Sequence, residues 1–227
     1  MILAVVGLAR EARIVGGSKV TPLIGGGDSA KLKRELDTAL LGNENSGTKI
    51  SGIISIGIAG GLSPDVRPGS VVAATAVIAG PVRFETDPGW AQRLMRVAPH
   101  CRPGVIAGND TVIASRPEKT DLFERTGAVA VDMESHIAAA AASAHNIPFA
   151  ALRVVCDPAD RTIPPAALVA MKRDGSIDLG AVLRSVMAEP GQLLSLAYLA
   201  RDSKIAFRTL LRCRNFLGSS LGGLDLG

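Results

Sequence analysis

The chain has 227 residues, 47% hydrophobic and 20% charged, with a formal net charge of +4. That length and composition suit one α/β domain with a substantial core and exclude a disordered chain. Aromatic residues make up only 3%, too few for a nucleic-acid platform of stacked rings, and the mild basicity suits anionic small molecules or a weak membrane-surface attraction.

Ile2 to Val6 is a short apolar run ended by Gly7, the pattern of a buried strand. Val20 to Ile24 reads as a second strand, closed by Gly25-Gly26-Gly27, and Asp28 or Ser29 caps a helix to about Leu41. Residues 42–47 read as a polar loop. Ile50 to Gly57 is another buried strand, feeding a loop over Gly57 to Gly61, and Ser70 to Ile78 follows as a β-branched strand. Residues 80–103 are mixed, with a short helix over Ala91 to Val97. Val105 to Gly108 and Ala128 to Val131 are short strands, Met133 to His145 an alanine-rich helix, and Phe149 to Cys156 a buried strand. From Pro164 the chain is helical in pieces. Strands alternating with helices predict an α/β layered fold. No apolar stretch of about twenty residues is free of breakers and charges, so no transmembrane helix is expected. No signal peptide is read before the first strand, and the cysteines Cys101, Cys156 and Cys213 have neither metal-ligand nor redox spacing; both point to the cytoplasm.

Chemistry is expected where strands end. Four loops follow buried strands directly: Gly7 to Arg13, Gly25 to Ala30, Gly57 to Gly61 and Cys156 to Asp160. Their glycines either let backbone N–H groups approach an anion or a planar base, or simply make tight turns. Gly7-Leu8-Ala9-Arg10 does not supply a dinucleotide fingerprint, and no phosphate-binding P-loop is present. Asp132 and Glu134 stand at the start of the alanine-rich helix. They serve the helix dipole, or Glu134 accepts hydrogen bonds from vicinal ribose hydroxyls. Asp157 sits where an apolar strand stops. It caps the next turn, or burial there favours a protonated acid able to give N7 of a departing purine its proton.

Together these segments resemble the purine nucleoside phosphorylase and methylthioadenosine nucleosidase superfamily. Gly57-Ile58-Ala59-Gly60-Gly61-Leu62-Ser63-Pro64 with Pro68-Gly69-Ser70-Val71-Val72 is similar to its G-S-A-G-G-L-x-P…G-D-V-V. Ala130-Val131-Asp132-Met133-Glu134 is similar to its A-V-E-M-E, and Arg153 to Asp160 to its R-x-I-S-D-x-A-D. The likeness runs over about Ile2 to Asp160. It implies a three-layer fold with a mixed central β-sheet flanked by helices, built by residues 1–189, with 190–227 as a C-terminal amphipathic helical extension. It also implies roles: Asp157 as the purine acid, Glu134 as acceptor for the ribose hydroxyls and Met133 as the contact under the sugar. Ala59, Gly60, Val112 and Ile113 line the base.

The departures bear on the nucleophile. Where the nucleosidase branch carries a water-activating glutamate, Ala12 stands here, unless Glu11 serves as the base. Arg10 and Arg13 offer phosphate-binding charge instead, which tilts the expectation to phosphorolysis with inorganic phosphate as co-substrate, without cofactor or metal. The loop serine that helps bind phosphate is replaced by Ile58, leaving Gly26, Gly27 and Ser55 as further donors. Cys156 reads as a structural thiol.

Beyond Gly191, leucines and the basic residues Arg201, Lys204, Arg208 and Arg212 recur at helical spacing. Such a helix lies on a membrane surface or packs its leucines on the core or a sister subunit. With the Gly7 to Arg13 segment and Gly108-Asn109-Asp110, it resembles the hopanoid-associated phosphorylase branch. That branch implies removal of adenine from adenosylhopane, a lipid-linked nucleoside, leaving a ribosyl-phosphate hopane. The superfamily resemblance implies a homo-oligomer, the basic C-terminal helix suits peripheral membrane contact, and the scarce aromatics speak against nucleic acid. The alternatives are a hydrolytic nucleosidase acting on methylthioadenosine or S-adenosylhomocysteine-like nucleosides, and a non-catalytic nucleoside-binding protein.

Overall fold

The computed structural model describes residues 1–46, 49–98, 100–169 and 178–223. In chain order these form β1 (Ile2–Val6), α1 (Ala9–Val15), β2 (Val20–Ile24), α2 (Ser29–Ser46), β3 (Gly52–Gly61), β4 (Val71–Ala79), β5 (Val82–Glu85) and α3 (Pro88–Val97). Then follow β6 (Cys101–Gly108), α4 (Arg116–Thr126), β7 (Ala130–Asp132), α5 (Ser135–Ala144), β8 (Phe149–Asp157), α6 (Pro165–Leu168), α7 (Leu179–Ala188) and α8 (Leu193–Leu217).

The strands make one mixed sheet in the order β2-β1-β3-β7-β6-β4-β5, with β8 bonded to both β3 and β4. The pairings β3–β8, β8–β4, β4–β6, β6–β7 and β7–β3 therefore close part of the sheet on itself. Period-two alternation sends side chains to two faces. Ile2, Ala4 and Val6 join Leu152 and Val154 in a core covered by α1, α3 and α8. Leu3, Val5, Ile53 and Val155 face the other way, against Leu32, Leu36 and Leu40 of α2 and Ala138, Ala139 and Ala142 of α5. The expected mixed sheet between helical layers is what the structure shows.

Several boundaries differ from the sequence reading. The segment Gly57 to Gly61, read as a loop, continues β3, because Ile58 and Ala59 pair with Val154 and Val155 of β8 while Gly60 and Gly61 pair with β7. Helix α2 runs through Gly42 to Ser46, although a polar loop was expected there, and Gly47 lies outside the described residues. Strand β6 begins at Cys101 and carries Pro103, which is tolerated because β7 reaches only Ile106 to Gly108 of that strand. Helix α1 takes up Ala9 to Arg13, which read as part of a loop, and strand β5 and helix α4 have no counterpart in the sequence reading. Helix α4 lacks an apolar stripe but opens with a capping box between Ser115 and Glu118 and Pro117 in its first turn. Residues 170–177, in the stretch read as helical in pieces, and 224–227 of the extension also lie outside the described residues.

Helix α8 buries Ala206, Phe207, Leu210, Cys213 and Leu217, spaced three or four apart, in the core that holds β1 and β8. Arg201, Lys204, Arg208 and Arg212 are exposed on its outer side. No described helix is long and apolar enough to cross a membrane.

Candidate active site

Strand β1 ends at Val6, and Gly7 and Leu8 lead into α1, which places Glu11 in the first helical turn. The Glu11 carboxylate accepts the N–H groups of Gly7 and Leu8, each at 2.8 Å, and that of Ile58 on β3 at 2.7 Å. Strand-end backbone donors of this kind suit an anion, and here the anion is the chain's own side chain. Glu11 is only 1% exposed. Burial raises its pKa, against the opposing pull of Arg153 and the three N–H donors.

The glycine at position 57 makes room for this. A Cβ there would lie 2.7 Å from Arg153 Nη1 and closer still to the Glu11 carboxylate. Alternation along β3 and β8 sets Ser55, Gly57 and Arg153 on one face, under α5. Arg153 is fully buried, with Nε 2.6 Å from Asp132 Oδ2, Nη2 3.7 Å from Glu134 Oε2 and Nη2 donating to Ser55 at 2.5 Å. Burial opposes the Arg153 charge, and the carboxylates of Asp132, Glu134 and Glu11 more than offset it.

The two carboxylates before α5 divide the work that the sequence left open. Asp132 Oδ1 accepts the N–H groups of Glu134 and Ser135 at 3.0 and 2.7 Å, so Asp132 both caps the helix start and anchors Arg153. Glu134 is left to face the cavity. Burial pushes its pKa up to about 8, with Arg153 opposing and Asp132 and Glu11 reinforcing. Gly7 and Gly25 leave it space: a Cβ on Gly7 would stand 2.9 Å from Glu134 Oε1, and one on Gly25 3.0 Å from its Cγ.

Asp157 closes β8 at an irregularity in the β3–β8 register, where Gly60 pairs with Asp157 instead of Cys156. Such a bulge re-aims side chains at the end of a strand. Lys119 of α4 lies 2.5 Å from Asp157 Oδ2, with both side chains buried. The Cys156 thiol stands 3.1 Å from Asp157 Oδ1. Burial pushes that thiol well up and the neighbouring Asp157 adds to the effect, which leaves it a protonated, structural group.

One pocket gathers most of the residues singled out in the sequence: Glu11, Ala59, Gly60, Val112, Ile113, Met133, Glu134 and Asp157 all line it. Arg10 and Arg13 do not. With Glu11 aimed at the pocket, neighbours one and two positions along a helix turn about 100° and 200° away. The Arg10 guanidinium lies over the Phe207 ring of α8, 4.1 Å from its centroid, and Arg13 reaches back to the Ala9 carbonyl on the exposed side. Two of the other expected phosphate donors are also occupied. Ser55 is buried beneath Arg153, and the Gly26 N–H is bonded to the Gly7 carbonyl at 3.0 Å.

Two residues of consequence, Arg153 and Lys119, had no role from sequence reasoning. Arg153 carried a signal, as a lone arginine inside an apolar strand. Lys119 carried none, because its helix was not read and its partners lie 38 to 42 residues away.

A mixed sheet between helices, with carboxylates converging at strand ends, defines a protein of the nucleoside phosphorylase-like class. The chain belongs to the phosphorylase superfamily, whose profile matches residues 37–188. Futalosine hydrolase of Streptomyces coelicolor is 32% identical over 125 residues, which is 47% of this chain and 53% of that protein. The chain thus spans about half the length of that curated relative. The fold is shared with Helicobacter pylori 5′-methylthioadenosine/S-adenosyl homocysteine nucleosidase, at a TM-score of 0.64 and 15% identity over 92% of this chain and 95% of that one. It is shared as well with the futalosine hydrolase of the same organism, at a TM-score of 0.59 and 16% identity over 83% and 97% of the two chains.

Proposed function

We propose that this protein hydrolyses the N-glycosidic bond of a purine nucleoside, with water as the nucleophile. The observation that carries the reading is the make-up of the pocket. Glu11, Asp132, Glu134 and Asp157 all line it, and no lysine or arginine does among the described residues. A phosphate dianion needs cations or free N–H donors. The donors at Gly7, Leu8 and Ile58 are already bonded to Glu11, and Arg10 and Arg13, on which the expectation of phosphorolysis rested, point elsewhere. A water molecule needs only a base, and a buried carboxylate with a raised pKa is a better base than an exposed one.

The roles follow from position. Glu134 accepts the ribose hydroxyls, Met133 underlies the sugar, and Ala59, Gly60, Val112 and Ile113 enclose the base. As the bond between C1′ and the purine breaks, Asp157 passes a proton to N7 and positive charge grows on the ribosyl ring. Glu11 takes a proton from the water that attacks C1′. The hydrolytic relatives support water over phosphate, and the nucleosidase among them supports an adenine nucleoside of the methylthioadenosine type.

The test is adenine release from methylthioadenosine, adenosine and an adenosyl-hopanoid, with cleavage of futalosine beside them, in phosphate-free buffer and again with added phosphate. Release that ignores phosphate supports hydrolysis, and the preferred substrate identifies the 5′ group. Release that requires phosphate contradicts it and restores phosphorolysis.

A further inference from the structure

Lys119 is the only buried lysine among the described residues. Its ammonium spends all three of its N–H donors, on Asp157 Oδ2 at 2.5 Å, the Pro158 carbonyl at 3.0 Å and the Arg161 carbonyl at 2.9 Å. Its place on α4 is fixed by the capping box that opens that helix. The carbonyl bonds hold the ammonium still, so the carboxylate of Asp157 has one oxygen pinned. Both of its oxygens stay beside Gly60 on the pocket wall, where an added Cβ would meet them at 3.3 and 3.5 Å.

We propose that Lys119 positions Asp157 and is the source of the proton that Asp157 passes to the departing purine. The inference rests on the role given to Asp157 above. Glu11, Asp132 and Glu134 line the pocket, with the Arg153 guanidinium buried against Asp132 and Glu134. Lys119 Nζ lies 2.5 Å from Asp157 Oδ2, and the proposed resting pair keeps the transferable proton on that nitrogen. In the reaction the Nζ–H bond breaks and Oδ2–H forms. The carboxyl group turns about its Cβ–Cγ bond, Oδ2–H breaks and N7–H forms, while the electron pair of the glycosidic bond leaves with the base. Lysine ends as a neutral amine and Asp157 as a carboxylate, and solvent reprotonates the amine after the purine leaves.

A lysine that only tethered the loop after β8 would affect every substrate alike. A proton donor matters only where the leaving group needs a proton. Lys119→Met should lower kcat for the preferred purine nucleoside about 100-fold, the scale of general acid catalysis, with KM nearly unchanged. Cleavage of 4-nitrophenyl riboside, whose leaving group departs without a proton, should stay within about threefold of wild type if only acid catalysis is lost. Lys119→Gln, which can keep a carbonyl bond but carries no charge, should show the same split. Equal loss on both substrates, full activity in Lys119→Met, or rescue by Lys119→Gln would each overturn the proposal.

A second measurement needs neither catalysis nor a Lys119 variant. The infrared difference between wild type and Asp157→Asn at neutral pH should carry an ionised carboxylate band for Asp157. A protonated carboxyl band instead would overturn the proposal whatever the protein cleaves. Absence of nucleoside cleavage by wild type, with the carboxylate band present, would count against the proposed reaction and leave the Lys119–Asp157 charge state intact.

Discussion

Glu11 of α1 accepts the backbone N–H of Ile58 on β3 at 2.7 Å, tying together segments 47 residues apart. Two further N–H donors, at Gly7 and Leu8, converge on the same carboxylate. The strand-end donors that could otherwise have cradled a phosphate are therefore bonded to an internal carboxylate, the proposed base. That one arrangement connects the glycine-rich sequence of β3 to the choice of nucleophile.

Glu11→Gln keeps the size of the side chain, but its one amide oxygen serves only one side, so either Ile58 or the Gly7 and Leu8 pair loses its acceptor and some stability with it. The substitution should lower kcat by roughly 10²–10⁴, the range for loss of a general base. Because burial raises the Glu11 pKa and the base must be ionised, kcat/KM of the wild type should fall on acidification with a midpoint above the ordinary value of 4.5. A pH profile of the two proteins checks both points. A variant as active as wild type would remove Glu11 from the reaction.

Glu134 makes stability depend on pH. Its pKa is about 8 in the folded protein against an ordinary 4.5, so between those values the folded state holds a proton that the unfolded state has released. Stability must then fall as pH rises through this window and level off above it. Denaturant melts at several pH values should show that slope in wild type and a flatter one in Glu134→Gln. Glu134→Gln should also raise KM for ribosides more than for 2′-deoxyribosides.

Arg153→Met removes the cation that interacts with Asp132, Glu134 and Glu11. Removal of one partner from a buried ion pair costs about 3–5 kcal/mol, because the remaining charge stays buried. Equilibrium unfolding should show a loss of that order, smaller at acidic pH, where the carboxylates take up protons.

Gly57→Ala inserts a methyl group 2.7 Å from the Arg153 guanidinium and against Glu11. Overpacking of this kind costs about 1–3 kcal/mol, and here it also displaces the base. The substitution should lower kcat more than it raises KM, as steady-state kinetics on the preferred nucleoside would show.

Much of the framework was legible because burial writes itself into composition. Strands β1 and β8 are buried runs of about the expected length, and α2 carries leucines four residues apart. What misled the reading of β3 was glycine. Gly57, Gly60 and Gly61 read as loop signals, yet they are strand residues whose missing side chains leave room for Glu11, Arg153 and Asp157. At the site, Glu134 and Asp157 stood out through local motifs. The charge of Arg10 and Arg13 was equally visible, but its direction depends on the phase of α1, and that is set by the bonds holding Glu11. Lys119 reaches Asp157 from a helix with no apolar stripe, a pairing that no local pattern announces.

The most direct test of the account is the sugar product formed in ¹⁸O-labelled water with phosphate present, read by mass spectrometry against the released base. Hydrolysis through Glu11 predicts a free sugar carrying one ¹⁸O and no sugar phosphate. A ribosyl 1-phosphate product without the label would contradict it.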